Sequence, residues 1–237
     1  MMKTVLINGS PKKRLSVSSY LLGIVGLLVK GEVVKEQVRN SGDYERILNS
    51  LVDADNVVFG VPLYVDGVPS HMLAFMKEME KFCVEKQIRL RLYVVSNGGF
   101  IEGSQNKPLM QIYENFCKHC DFEWHGGVGI GGGVMLNVMR IMFFAYAGLF
   151  VLNTITAGLT VALPIFAEQL FVILFFSCAA ILYCLRMGFA VNKGAGYGVK
   201  FTRILLPSFL FILAADIFFV IISIFQGGIF RGWLKGK

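Results

Sequence analysis

No charged side chain lies between Ile141 and Leu163, and only two acidic residues, Glu168 and Asp216, occur from there to the last residue. Soluble domains carry about one charged residue in four, so this scarcity excludes a conventionally solvated second half. The cysteines are few and odd in number (Cys83, Cys117, Cys120, Cys178, Cys184), with no secretory leader ahead of them; no disulfide framework is expected. The first apolar run, Lys3 to Asn8, is too short for a signal-peptide core, which places the first domain in the cytosol. Cys117-Lys-His-Cys120 has no second ligand pair in the polar half. A cluster needs about four ligands, so the pair reads as inert thiols on a helix and no metal is expected. His71 and His125 read as capping or packing residues.

The net charge is +7, divided as +2 over residues 1–140 and +5 over 141–237. The second excess flanks apolar runs, as cations beside membrane segments do, so nucleic acid is not an expected partner. The hydrophobic fraction of 55% exceeds the roughly 45–50% of a soluble domain, and the surplus sits in the second half.

The first half alternates strand and helix five times. Strands are read at Lys3–Asn8, Glu32–Val38, Asn56–Pro62, Leu90–Ser96 and Phe122–Ile130, each a short β-rich run, most of them closed by Gly, Pro or Asn. Helices are read at Ser16–Lys30, Asp43–Val52, Ser70–Lys86 and Pro108–Cys120. That alternation predicts a doubly wound α/β domain over 1–133, whose ligands bind at the carboxyl ends of the strands.

The remainder, 134–237, predicts an all-α membrane region with spans at 141–163, 165–185 and 204–226. The first is uncharged and about 30 Å long as a helix, the thickness of a bilayer core. Pro164 reads as the first turn, and Arg186, Lys193, Lys200 and Arg203 as a cytosolic connection together with Arg140. A third full crossing puts Arg231, Lys235 and Lys237 on the far side, against the bias; the alternative is a last apolar segment that is re-entrant or interfacial, and three spans is the favoured reading. Asp216, within the third span, is a candidate intramembrane functional group.

Three loops carry the chemistry. Asn8-Gly-Ser-Pro-Lys-Lys-Arg-Leu-Ser-Val-Ser-Ser19 joins the first strand to the first helix. The hydroxyls of Ser10, Ser16 and Ser18, the helix N-terminus and the charge of Lys12 suit a phosphate dianion. The loop is neither a Walker nor a dinucleotide glycine pattern. Pro62-Leu63-Tyr64-Val65-Asp66-Gly67-Val68-Pro69 follows the third strand, and Asn97-Gly98-Gly99-Phe100 the fourth.

In these loops the chain resembles the NADPH-dependent FMN reductase and flavodoxin-like oxidoreductase families, over about residues 3–133. Gly9-Ser10-Pro11-Lys12 with Ser16-Val17-Ser18 resembles the family's Gly-Ser-x-Arg-x-x-Ser phosphate loop, with one extra residue and Lys for Arg. Residues 62–69 resemble its Pro-x-Tyr-x-x-x-x-Pro signature. The resemblance implies a flavodoxin-like five-stranded parallel sheet of order 2-1-3-4-5. It also implies FMN as cofactor, held by Ser10, Lys12, Ser16, Ser18, Pro62, Leu63, Tyr64, Asn97, Gly98, Gly99 and Phe100, with NADH or NADPH as co-substrate. The flavin does the chemistry, so no catalytic side chain is required.

On this reading the protein is a multi-pass cell-membrane oxidoreductase with its flavin domain on the cytoplasmic side. Its partners are the bilayer and a small acceptor such as a quinone or flavin, or a redox protein; homodimerisation is compatible with it. The alternative is an electron-transfer or redox-sensing module without direct NAD(P)H turnover. Family members of this kind are typically soluble and place a fifth helix where this chain enters its apolar region, so residues 134–140 are expected to help cover that sheet face.

Overall fold

A computed structural model describes residues 1–12 and 16–225. Its elements are β1 (Lys3–Asn8), α1 (Val17–Gly26), β2 (Glu32–Gln37), α2 (Tyr44–Ser50), β3 (Asn56–Pro62), α3 (Ser70–Glu85), β4 (Arg91–Asn97), α4 (Lys107–Cys120), β5 (Glu123–Gly131), α5 (Gly133–Ala157), α6 (Leu159–Lys193), β6 (Gly198–Arg203) and α7 (Ser208–Phe225). The strands form one parallel sheet of order β2-β1-β3-β4-β5-β6. β1, β3 and β4 are buried along almost their whole length. That double-sided burial is why they read as continuous apolar runs rather than alternating ones.

One face packs Val5, Ile7, Val57, Phe59 and Val94 against α3 and α4, through Phe75, Met79 and Tyr113. The Cys83, Cys117 and Cys120 thiols belong to this core. Burial pushes each up to about 12, so they stay protonated. His125 occupies the bulge opposite Leu92 and Tyr93; its Nδ1 lies 3.0 Å from the Tyr93 hydroxyl, which donates to the Ala195 carbonyl.

The other face is covered by α1 and by the C-terminal half of α6, where Ala180, Cys184, Met187 and Val191 are buried. Gly188 makes that crossing close: a Cβ there would lie 2.6 Å from the Val25 carbonyl. The sheet face that residues 134–140 are expected to help cover is therefore roofed mainly by α6, with only the first turns of α5 (Met135, Leu136, Met139) contributing.

Three expectations are corrected. The sheet has six strands rather than five, because Gly198–Arg203, expected in a connection between spans, pairs with β5. The compact unit holding the sheet accordingly runs from Met1 to Ile204, past the boundary expected at 133. The helical break falls at Gly158, whose φ of 85° suits only glycine, whereas Pro164 lies inside α6. The apolar helices are thus 133–157 and 159–193, both long and apolar enough to cross a membrane, and Glu168 moves from a span end to ten residues beyond the turn.

The described residues from Leu205 form a second unit. Within it Pro207 precedes α7 rather than interrupting it, and Asp216 lies in the helix. Arg231, Lys235 and Lys237, like Lys13 to Leu15 of the first loop, lie outside the described residues.

Candidate functional site

The loops after β1, β3 and β4 meet at the carboxyl edge of the sheet because parallel strands all end there. Between them lies a cavity of about 270 Å³, just below the roughly 300–1,000 Å³ of small-molecule sites. Ten of the eleven residues expected from sequence line it: Ser10, Lys12, Ser16, Ser18, Pro62, Leu63, Tyr64, Asn97, Gly98 and Gly99. Phe100 does not; it stands outside the lining, 63% exposed. Val17, Val134 and Asn137 complete the wall and were not anticipated. Asn137 is the lone amide in the opening turns of an apolar helix, a signal present in the sequence.

The polar end is built on α1. Ser16 is its N-cap and accepts from the Ser19 N–H at 3.1 Å and from Asn8 Nδ2 at 3.4 Å. Ser18 Oγ accepts from Asn97 Nδ2 at 3.0 Å, and Ser10 Oγ from the Lys12 N–H at 3.4 Å. All three oxygens accept bonds from the protein, and among the described residues none donates its hydroxyl proton. Their protons are not committed to any described residue. With the helix dipole and Lys12 they form a donor set matched to an anion.

The first loop is held from three sides. Gln37 Nε2 donates to the Ser10 and Lys12 carbonyls, both at 2.9 Å. The Gly9 N–H donates to the Gly60 carbonyl at 2.8 Å. His71 Nε2 lies 3.1 Å from the Gly9 carbonyl; a carbonyl only accepts, so this nitrogen carries the proton. Desolvation pushes the His71 pKa down, against the opposing effect of that bond, and keeps the ring neutral near pH 7.

The other end is mostly backbone. The Leu63 N–H donates to the Asn97 carbonyl at 2.8 Å and the Gly98 N–H to Ile130 at 3.0 Å, locking the second and third loops side by side. Gly133 then joins α5 to them, its N–H donating to the Gly98 carbonyl at 2.8 Å. A Cβ at Gly133 would lie 2.9 Å from Asn97 Oδ1. Tyr64 and Gly67 exchange two backbone bonds of 3.0 Å around Val65 and Asp66, both at positive φ, a type I′ turn.

No protein-family model matches the chain, and no curated protein matches it in sequence. Solved structures similar to it include the flavodoxin, WrbA-like protein from Agrobacterium tumefaciens, 17% identical over 52% of this chain and 76% of that one, with TM-score 0.45. The Trp repressor binding protein from Bacillus subtilis is 18% identical over 54% and 84%, with TM-score 0.44. An azoreductase from Bacillus anthracis is 16% identical over 71% and 100%, with TM-score 0.40.

Proposed function

We propose that the chain is a membrane-anchored, FMN-dependent NAD(P)H oxidoreductase that passes electrons from NADH or NADPH to a small acceptor such as a quinone or a free flavin. The observation that carries this reading is the convergence of three strand-end loops on one cavity with an anion-binding donor set at one end and backbone groups beside Leu63, Tyr64 and Val134 at the other. A phosphorylated isoalloxazine has that division: a dianion, a hydroxylated chain and a flat ring. The residues present fit it. Ser10, Ser16 and Ser18 would give hydrogen bonds to the phosphate and Lys12 a point charge; Lys keeps the charge that Arg supplies in the family pattern but not its bidentate fork. Pro62 to Tyr64 and Asn97 to Gly99 would hold the ring edge.

When bound, FMN supplies the hydride-accepting chemistry. The chain's part is to anchor the phosphate, orient the ring and leave one face open. Asn97 ties the two ends together, since the amide that fixes Ser18 also contacts the Val61 carbonyl at 3.4 Å.

Membrane anchoring rests on exposure. Only 11% of the apolar window of α5 and 28% of that of α6 is buried, which leaves large apolar side chains such as Phe144, Leu152, Ile155 and Phe171 without cover. A buried core helix has no such uncovered faces. The hairpin returns the chain to the sheet, so both its ends lie on one side, the cytosolic side by the basic residues around it.

The test is purification of the full chain in detergent, an absorption spectrum, and NADH and NADPH oxidation with quinone or flavin acceptors. Flavin absorbance with turnover is expected. A colourless protein that takes up no FMN overturns the reading, and bound flavin without NAD(P)H turnover reassigns the chain to electron carriers.

A further inference from the structure

The direction in which the hairpin leaves the sheet bears on what the cavity faces. α5 starts two residues beyond the end of β5, at the carboxyl edge. Met139 Sδ lies 3.1 Å from Ser177 Oγ, and the Arg140 guanidinium sits 5.8 Å from the Tyr20 ring in the second turn of α1. From that level α6 runs along α1 to Asn192, whose side chain accepts from the Lys30 N–H and donates to the Leu28 carbonyl beyond the end of α1. Everything before Ser177 in α6, and after Arg140 in α5, therefore projects past the carboxyl edge, the same edge that holds the cavity.

We infer that the loops of this edge rest on the bilayer surface, so that the cavity opens into the lipid headgroup layer rather than into bulk water. The inference rests on the membrane reading above. Length decides how close the edge comes. At about 1.5 Å per residue the free segments 141–157 and 159–176 reach roughly 26 and 27 Å, against a hydrocarbon core of about 30 Å. The turn at Gly158 has to reach the far headgroups, because irregular backbone is not tolerated facing lipid. No length is left over for a stalk. The carboxyl edge is drawn to within a few ångströms of the hydrocarbon, inside a headgroup layer about 5–8 Å thick.

The rim is suited to that position. Val65 is fully exposed at the tip of the turn after β3, although a β-branched residue at φ 45° is a strained choice. Tyr64 and Phe100 beside the mouth are 44% and 63% exposed; the amphipathic tyrosine ring favours the membrane interface, and the Phe100 ring adds exposed apolar surface to the same rim. Lys12 and Lys107 are exposed at the same edge and match anionic headgroups.

The test uses the full chain, with Cys178→Ser to remove the one cysteine that is not buried, in vesicles of phosphatidylcholine and phosphatidylglycerol. Val65→Cys and Phe100→Cys report the rim; Leu27→Cys and Val84→Cys report exposed positions at the opposite edge. Each is labelled with a fluorophore and quenched by headgroup-level nitroxide lipid. Several-fold stronger quenching at 65 and 100 than at 27 and 84 is expected. Equal, weak quenching at all four in a chain that floats with the vesicles overturns the inference while leaving the anchor intact. The same result with Val65→Cys forming disulfide-linked dimers assigns the rim to a second copy. A chain that does not float overturns the membrane reading itself.

Discussion

Replacing Ser18 by alanine removes a buried hydroxyl whose oxygen is engaged by Asn97 and whose proton no described residue accepts. A hydrogen bond to a charged partner contributes about 1.5–3 kcal/mol, and about 1.4 kcal/mol is tenfold in affinity. Ser18→Ala should therefore weaken FMN binding by roughly 10- to 100-fold. Riboflavin, which has the ring and ribityl chain but no phosphate, should bind the variant and the parent alike. The assay is a flavin fluorescence titration of the detergent-purified chain with both ligands. Asn97 keeps its contact with the Val61 carbonyl in the variant, so the fold should hold, and an unchanged melting temperature checks this. A FMN affinity unchanged by Ser18→Ala, or an equal loss for riboflavin, refutes the assignment of this helix end to phosphate. Ser16→Ala is the informative companion: it should lose the same phosphate contact and, as the N-cap, about 1 kcal/mol of stability as well.

Three further outcomes follow from the packing. Desolvation depresses the His71 pKa below its usual 6.5, so the folded state takes up its proton later than the unfolded one. The His71 contribution is complete above about pH 6.5 and is lost as pH falls below it; thermal melts should fall more steeply between pH 7.5 and 5.5 in the parent than in His71→Gln, and parallel curves would refute this. Gly188→Ala gains up to about 1 kcal/mol in helix propensity but places a Cβ 2.6 Å from the Val25 carbonyl, so the clash should win and the melting temperature should drop. Glu168 lies ten residues past the turn, about 15 Å along α6 and near mid-depth of a crossing hairpin. Glu168→Gln should raise the membrane-inserted fraction and Glu168→Lys should not, as read by alkali extraction of membranes; identical partition of the two variants and the parent would refute crossing.

Strand positions were legible because a strand buried on both faces leaves an uninterrupted run such as Val57 to Val61, and the residues that end it are those a loop needs. The cavity was legible for the same reason, since the three loops are short and each is marked by Gly, Pro or Ser. β6 was not. Gly198-Val-Lys-Phe-Thr-Arg203 is an edge strand with cations at two of six places, and between apolar spans that pattern reads as a charged connection. The hairpin turn was misplaced because Pro164 is the stronger breaker in general, yet here it sits near the start of α6, where one lost ladder bond is tolerated, while Gly158 supplies the positive φ that the reversal needs. Asn137 is marked in the sequence as a lone amide among apolar residues, but a single position without periodicity does not say which way it faces; only the fold brings it to the cavity wall.

That one uninterrupted helix, α6, both forms the second arm of the apolar hairpin and roofs the sheet has a consequence for biogenesis under the membrane reading proposed above. The edge strand that completes the sheet is synthesised after the hairpin, so on that reading a nascent chain has to hand 141–176 to the insertion machinery before its sheet can close. A gene fragment ending at 133 would encode five strands with half a roof and should be recovered as aggregate, whereas one ending at 204 retains every part of the compact unit and is the shorter piece worth expressing.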